Sequence, residues 1–268
     1  MAVPDPHHNK PRLLLESYSG NKVEEQNLSV IEKAFQSVTQ EEINELFLSS
    51  NSNAIAKVAL ANHSQVLRFL LNLLSPKQRC EVLKRRLHEK RKATLLHCLA
   101  QRGYTEPLKC VLDSVVIDER CNLLGLQTAS GCTPLHWAAR SGHTVTIKYL
   151  LYSVPSDKRC ALLKIQNISG STCLQSAAEN GLRETAECIL GSVAAEQSDL
   201  LEIKNKHNEP ALDVALKKGA TETADFILHQ KKTVIHHNKR LQGNILQKQI
   251  KQFNGRAVCQ HDQKIKIN

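Results

Sequence analysis

The chain repeats itself, and no other feature constrains its fold as tightly. "TLLHCLAQRGYTEPLKCVL" begins at Thr94, "TPLHWAARSGHTVTIKYLL" at Thr133, "TCLQSAAENGLRETAECIL" at Thr172 and "PALDVALKKGATETADFIL" at Pro210. Successive copies lie 39, 39 and 38 residues apart. "NAIAKVALANHSQVLRFLL" aligns from Asn53, 41 residues upstream of Thr94, and a degenerate copy, "NLSVIEKAF", starts at Asn27. The segments between copies recur as well: "LLSPKQRCEVLK", "LDSVVIDERCNLL", "LYSVPSDKRCALLK" and "LGSVAAEQSDLLE", with "FQSVTQEEINELF" at the start. A fixed period of this length is the mark of a repeat array, in which each unit packs only on its neighbours.

The residues of one copy explain its local structure. Thr133 suits a helix N-cap and Pro134 the first helical position, where no amide bond is lost. Leu135, Ala138 and Ala139 fall at i, i+3 and i+4 and form one apolar stripe, kept flat by the two alanines. Gly142 ends the helix in the left-handed region that other residues resist. A second short helix follows, with Ile147, Leu150 and Leu151 at the same spacing. Helices of about two turns are marginal alone, so stability must come from stacking one pair on the next. "SPKQ" at Ser75 and "TQEE" at Thr39 read as capping boxes, and Val82–Leu83, Leu123–Leu124, Leu162–Leu163 and Leu200–Leu201 predict an extra helical turn in each link. A polar, turn-prone stretch then precedes each copy and should project as a hairpin or loop.

On these residues the chain resembles the ankyrin-repeat family. "GCTPLHWAARSGH", Gly131 to His143, carries that family's signature at every defined position, and "GSTCLQSAAENG" is close to it. The likeness covers about residues 50–230, fades where Asn62 replaces the helix-ending Gly, and departs from the family's period of 33 through its longer links. The resemblance implies an all-α, ankyrin-type helical-hairpin solenoid with projecting hairpins and extra link helices. The expected organisation is a degenerate N-terminal repeat or cap over 1–50, the repeat domain over 51–230 in four to five repeats, and a basic C-terminal tail over 231–268. It further implies a non-catalytic scaffold that binds a partner protein through its concave face and loops. His136 and His97 take the family's position for an imidazole that bonds backbone and ties neighbouring units. Gln175 and Asp213 stand there in later copies, which suits hydrogen bonding and not catalysis. Thr133, Pro134, Leu135, His136, Ala138, Ala139 and Gly142 are therefore assigned to architecture.

Composition narrows the function classes. Aromatic residues are only 4% of the chain, so aliphatic side chains must fill thin repeated layers. The N-terminus has no secretory pattern, and the most apolar stretch, "VLRFLLNLL", is short and carries Arg68; an intracellular protein, cytoplasmic or nuclear, with no transmembrane segment is expected. Nine Cys, an odd number, fit a reducing compartment. Cys80, Cys121 and Cys160 recur at one register, where stacked units stand roughly 8–10 Å apart, too far for a disulfide; they read as small packing groups. Cys259 and His261, with His236 and His237, match no strong zinc spacing. No phosphate loop or nucleophile motif appears, and no cofactor is expected.

Charge is placed unevenly. Residues 229–268 hold nine Lys or Arg against Asp262 alone, while the rest of the chain is nearly balanced. "KRRLHEKRK", Lys84 to Lys92, adds six bases and one acid. The candidate partner-binding residues are Lys84, Arg85, Arg86, Lys90, Arg91 and Lys92 in this link, with Gln127, Thr128, Asn167 and Lys206 in the later loops. The alternative function is association with nucleic acid or an anionic surface through link 84–92 and the tail. In the tail, Leu246, Ile250 and Phe253 fall at helical spacing and suggest a short capping helix, the alternative being a disordered end.

Overall fold

The computed structural model describes residues 26–49, 53–193 and 196–240, together with Pro11 and Gln242. The fold is an all-α solenoid of three helix rows. First helices run Ala54–Leu60, Leu95–Arg102, Pro134–Ser141, Cys173–Glu179 and Ala211–Lys217. Second helices run Ser64–Asn72, Thr105–Asp113, Thr144–Tyr152 and Arg183–Gly191, and a longer one spans 221–240. Link helices form a third row: Gln40–Leu48, Pro76–Lys84, Ile117–Gly125, Ser156–Leu163 and Gln197–Glu202. Each row packs like on like from unit to unit.

The core is one continuous aliphatic seam. Leu96, Leu135 and Leu174 are buried at one register, and Ala138, Ala177 and Ala215 at another, so the first helices approach closely. Gly103, Gly142, Gly181 and Gly219 all end first helices in the left-handed region, with φ between 67° and 75°. Asn62, φ 65°, does the same duty in the first full unit, since Asn tolerates that conformation best among residues with a Cβ. Gly103 has a second reason to lack a side chain: a Cβ there would meet the His143 ring of the next unit at 2.5 Å.

The links close as the sequence indicates. Ser75 N–H donates to Gln78 Oε1 at 2.8 Å, and Thr39 N–H to a Glu42 carboxylate oxygen at 2.7 Å. The degenerate N-terminal copy supplies the helix Gln26–Phe35, which packs on Ser64–Asn72 as a preceding second helix would. Phe35 stacks on Phe47 at 6.2 Å and meets Phe69 edge-on at 6.0 Å, an aromatic cluster that closes this end. At the other end the last helix runs through 240, past residue 230; Ala224 and Ile227 are buried, while residues 235–240 are exposed. The proposed helical turn at Leu246, Ile250 and Phe253, and the pair Cys259 and His261, lie outside the described residues.

Cys80, Cys121 and Cys160 are free and half-buried against the apolar seam, and among the described residues no group of His, Cys, Asp or Glu could hold a metal ion. No described helix is long and apolar enough to cross a membrane.

Candidate interaction groove

Two sets of polar side chains stand on the first helices and the turns that precede them. One set ties the units together. Thr133 N–H donates to His136 Nδ1 at 3.2 Å, which leaves the proton on Nε2, and Nε2 donates to the carbonyl of Ser171 in the next unit at 2.9 Å. His97 repeats the arrangement with Thr94 N–H at 3.2 Å and the Cys132 carbonyl at 3.0 Å. Gln175 reproduces it without a ring: its carbonyl accepts Thr172 N–H at 2.8 Å and its amide donates to the Glu209 and Ile203 carbonyls. Burial holds the His97 imidazole down at about 4, and pushes that of His136 below its ordinary value as well. Neutral imidazoles with both nitrogens engaged are joints, not proton-transfer groups.

A second tie runs through the link helices. Arg79 donates from Nε to the Leu74 carbonyl and from Nη1 to that of Ser114, both at 2.9 Å, joining its own unit to the end of the next second helix. Arg120 repeats this toward Val115 and Ser153, at 3.2 and 3.5 Å. Arg159 stays within its unit, on the Leu151 and Val154 carbonyls, and stacks on Tyr152 at 4.4 Å. Gln197 holds the register in the last link and donates to the Leu190 carbonyl. The recurring Arg-Cys pair therefore repeats for its Arg, a role that attention to the thiols alone passes over.

The projecting turns form a third ladder. Ala129 N–H donates to Arg91 O, Ile168 N–H to Ser130 O and Lys206 N–H to Ser169 O, at 2.8, 3.0 and 3.0 Å. Among the described residues only the first turn pairs as strands, Arg86–His88 with Ala93–Thr94; it is two residues longer than the turns after it.

Against this frame the sequence-derived candidates divide. Lys84 pairs with Glu119 at 2.8 Å. Arg85 donates to the Phe47 and Ser49 carbonyls and so caps the helix Gln40–Leu48. Arg86 donates to Lys92 O and to Gln127 O in the next turn. Gln127, at the same register, donates to Gly131 O and to Gln166 O. Thr128 Oγ1 accepts Cys132 N–H, and Asn167 Oδ1 accepts the amides of Ser169 and Ser171, so both shape their turns. Lys90, Arg91 and Lys92 are exposed at the tip of the first turn, and Lys206 is exposed at the last. Half of the basic run is thus committed within the chain.

The second set lines a concave groove of about 1020 Å³ that runs from the 94 unit to the 210 unit, between the turns and the first helices. At the fifth position of the later copies stand Trp137, Ser176 and Val214, while Cys98 at that register of the 94 unit is buried; at the eighth stand Gln101, Arg140, Glu179 and Lys217. Trp137 is half-buried on the groove floor, its ring edge-on to His97 at 5.4 Å. Lys90, Arg91 and Arg140 reach the same groove. Residue identity changes at every step here, while the tying positions repeat. The repeat pattern assigns no role to Trp137 and Arg140, because they break it.

The family profile for ankyrin repeats, in three copies, matches residues 57–160. That stretch spans the 53, 94 and 133 units, and the 172 and 210 units continue their geometry. No curated protein matches the chain. Residues 57–160 of the chain are thus ankyrin repeats.

Proposed function

We propose that this protein is a non-catalytic scaffold that holds a partner protein in its concave groove and against its projecting turns. Ankyrin repeats are generally protein–protein interaction modules. One observation carries the assignment to this face: the groove positions of the successive copies differ in size, polarity and charge, although the same helices keep their buried and tying residues nearly constant. Side chains relieved of holding the stack are those available for recognition. A site of this kind is concave and mostly preformed, with a few polar groups that fix orientation.

The test is site-specific crosslinking. A photo-reactive residue placed at exposed Gln101, on the groove, should capture a partner that the same residue at exposed Lys148, on a second helix away from the groove, does not. That partner, purified, should bind the wild-type chain and bind the Trp137→Ala chain more weakly. Equal capture from both positions would reject the groove as the binding face.

A further inference from the structure

The groove is lined by five Lys or Arg and two carboxylates, but its charges are not evenly spent. Both acids are paired at the C-terminal end: Glu209 with Lys217 at 2.7 Å, and Glu179 with Lys218 at 3.0 Å. Glu209 is held below the usual carboxylate range by Lys217 and Asn205. The other three cations, Lys90, Arg91 and Arg140, are exposed and have no ion-pair partner among the described residues. They come from two different elements. Lys90 and Arg91 sit on the tip of the long first turn, which is tied to the next turn through Arg91 O. Arg140 lies one helical turn beyond Trp137 on the same helix face. The part-exposed indole therefore shares the groove with two sources of unspent positive charge.

We propose that the N-terminal half of the groove, Lys90, Arg91 and Arg140 around Trp137, takes an acidic, extended peptide segment of the partner protein. The inference rests on the scaffold reading above and names the partner's chemistry. An extended chain of about nine residues would cover the roughly 30 Å from the 94 unit to the 210 unit. Carboxylates of such a segment would meet Arg91 and Arg140, whose planar guanidinium groups suit bidentate pairing. The paired C-terminal end offers no such excess, so charge also sets the direction in which the segment lies.

A nucleic acid is the poorer occupant. Lys84, Arg85 and Arg86 are already engaged on Glu119 and on backbone carbonyls, which removes half the charge of the link. Glu179 and Glu209 stand in the path of a continuous phosphate backbone. One indole supplies no run of stacking platforms.

The experiment displays a library of random peptides, each about nine residues long, to the purified full chain. Selected peptides should carry about threefold more Asp and Glu than the starting library. The exposed triple variant K90E/R91E/R140E, checked for an unchanged melting temperature, should invert the preference toward Lys and Arg. Peptides that depend on Trp137 but carry no acidic bias would overturn this proposal and leave the scaffold reading standing. An acid-rich pool unaffected by the triple variant, or no selection at all, would overturn it too. Binding of an oligodeoxythymidine that the triple variant abolishes, and that displaces the selected peptides, would assign the cations to phosphate instead.

Discussion

His136 and Trp137 are adjacent on one helix and belong to different parts of the molecule. His136 faces the seam, where His97 and Gln175 repeat its bonds in the neighbouring units. Trp137 faces the groove, where Ser176 and Val214 share its register and nothing of its chemistry. The seam demands one bonding pattern at each step, because every unit must meet an equivalent surface on the next. The groove has no such demand from within the chain. In a repeat array the positions that recur report on the stack, and those that vary report on what the stack is for.

The largest effect should come from removing a seam joint. His136→Ala leaves the buried Thr133 N–H and the Ser171 carbonyl without their partner, and each such group costs about 1–3 kcal/mol. A loss of about 3 kcal/mol in unfolding free energy is expected. His136→Gln should recover most of it, since Gln175 makes the same bonds in the next unit. If the glutamine variant were as unstable as the alanine one, the ladder would depend on the ring itself and not on its two hydrogen bonds.

Acid should open the same joints. His97 is held at about 4 in the folded chain against an unfolded value of about 6.5, so the unfolded state binds the extra proton between these limits. Stability from this neutral imidazole is fully present above about pH 6.5 and is lost as pH falls toward about 4, by roughly 3 kcal/mol at most. His136 acts in the same direction. Thermal melts from about pH 7 to about pH 4.5 should show a shallower decline for His97→Gln than for the wild type. Parallel curves would mean that other groups carry the acid sensitivity.

The arginine tie should rank next. Arg79 bonds two carbonyls in successive units, and Arg79→Ala should cost about 2 kcal/mol. Lysine should not rescue it, because a single ammonium cannot reproduce the fork. Gln197→Ala in the last link, where one bond to Leu190 O is at stake, should cost less than about 1 kcal/mol. Chemical denaturation of the three variants checks this order.

Most of the stack was legible in the sequence. The Thr-Pro start, the Leu and Ala stripe, the glycine stop and the capping boxes at Thr39 and Ser75 are local rules, and each appears where its residues stand. The groove was less legible. Six bases in a run look alike in one dimension, yet Arg85 and Arg86 find carbonyls 36 to 41 residues away, and only the fold brings those within reach. Gln127 shares the register of Arg86 and is used in the same way, while Lys90 and Arg91 fall on a turn tip and remain unspent. Arg79, Arg120 and Arg159 did leave a signal, their recurrence beside the cysteines, but its meaning depends on where the preceding helix ends.

The smallest effect on folding should come from the groove, and it sharpens the comparison most. Arg140 is one turn from Trp137, exposed, and bonded to nothing among the described residues. Arg140→Ala should change the unfolding free energy by no more than about 0.5 kcal/mol, the ordinary range for a surface position without partners. His136→Ala, four residues earlier on the same helix, should cost several times that. The two variants should reverse in a binding assay run at equal folded fraction: Arg140→Ala weakens capture of the partner, and His136→Ala leaves the affinity of the folded molecules nearly intact. A groove substitution as destabilising as a seam substitution would erase the division between the two faces, because residues that hold the stack are not free to vary with a partner.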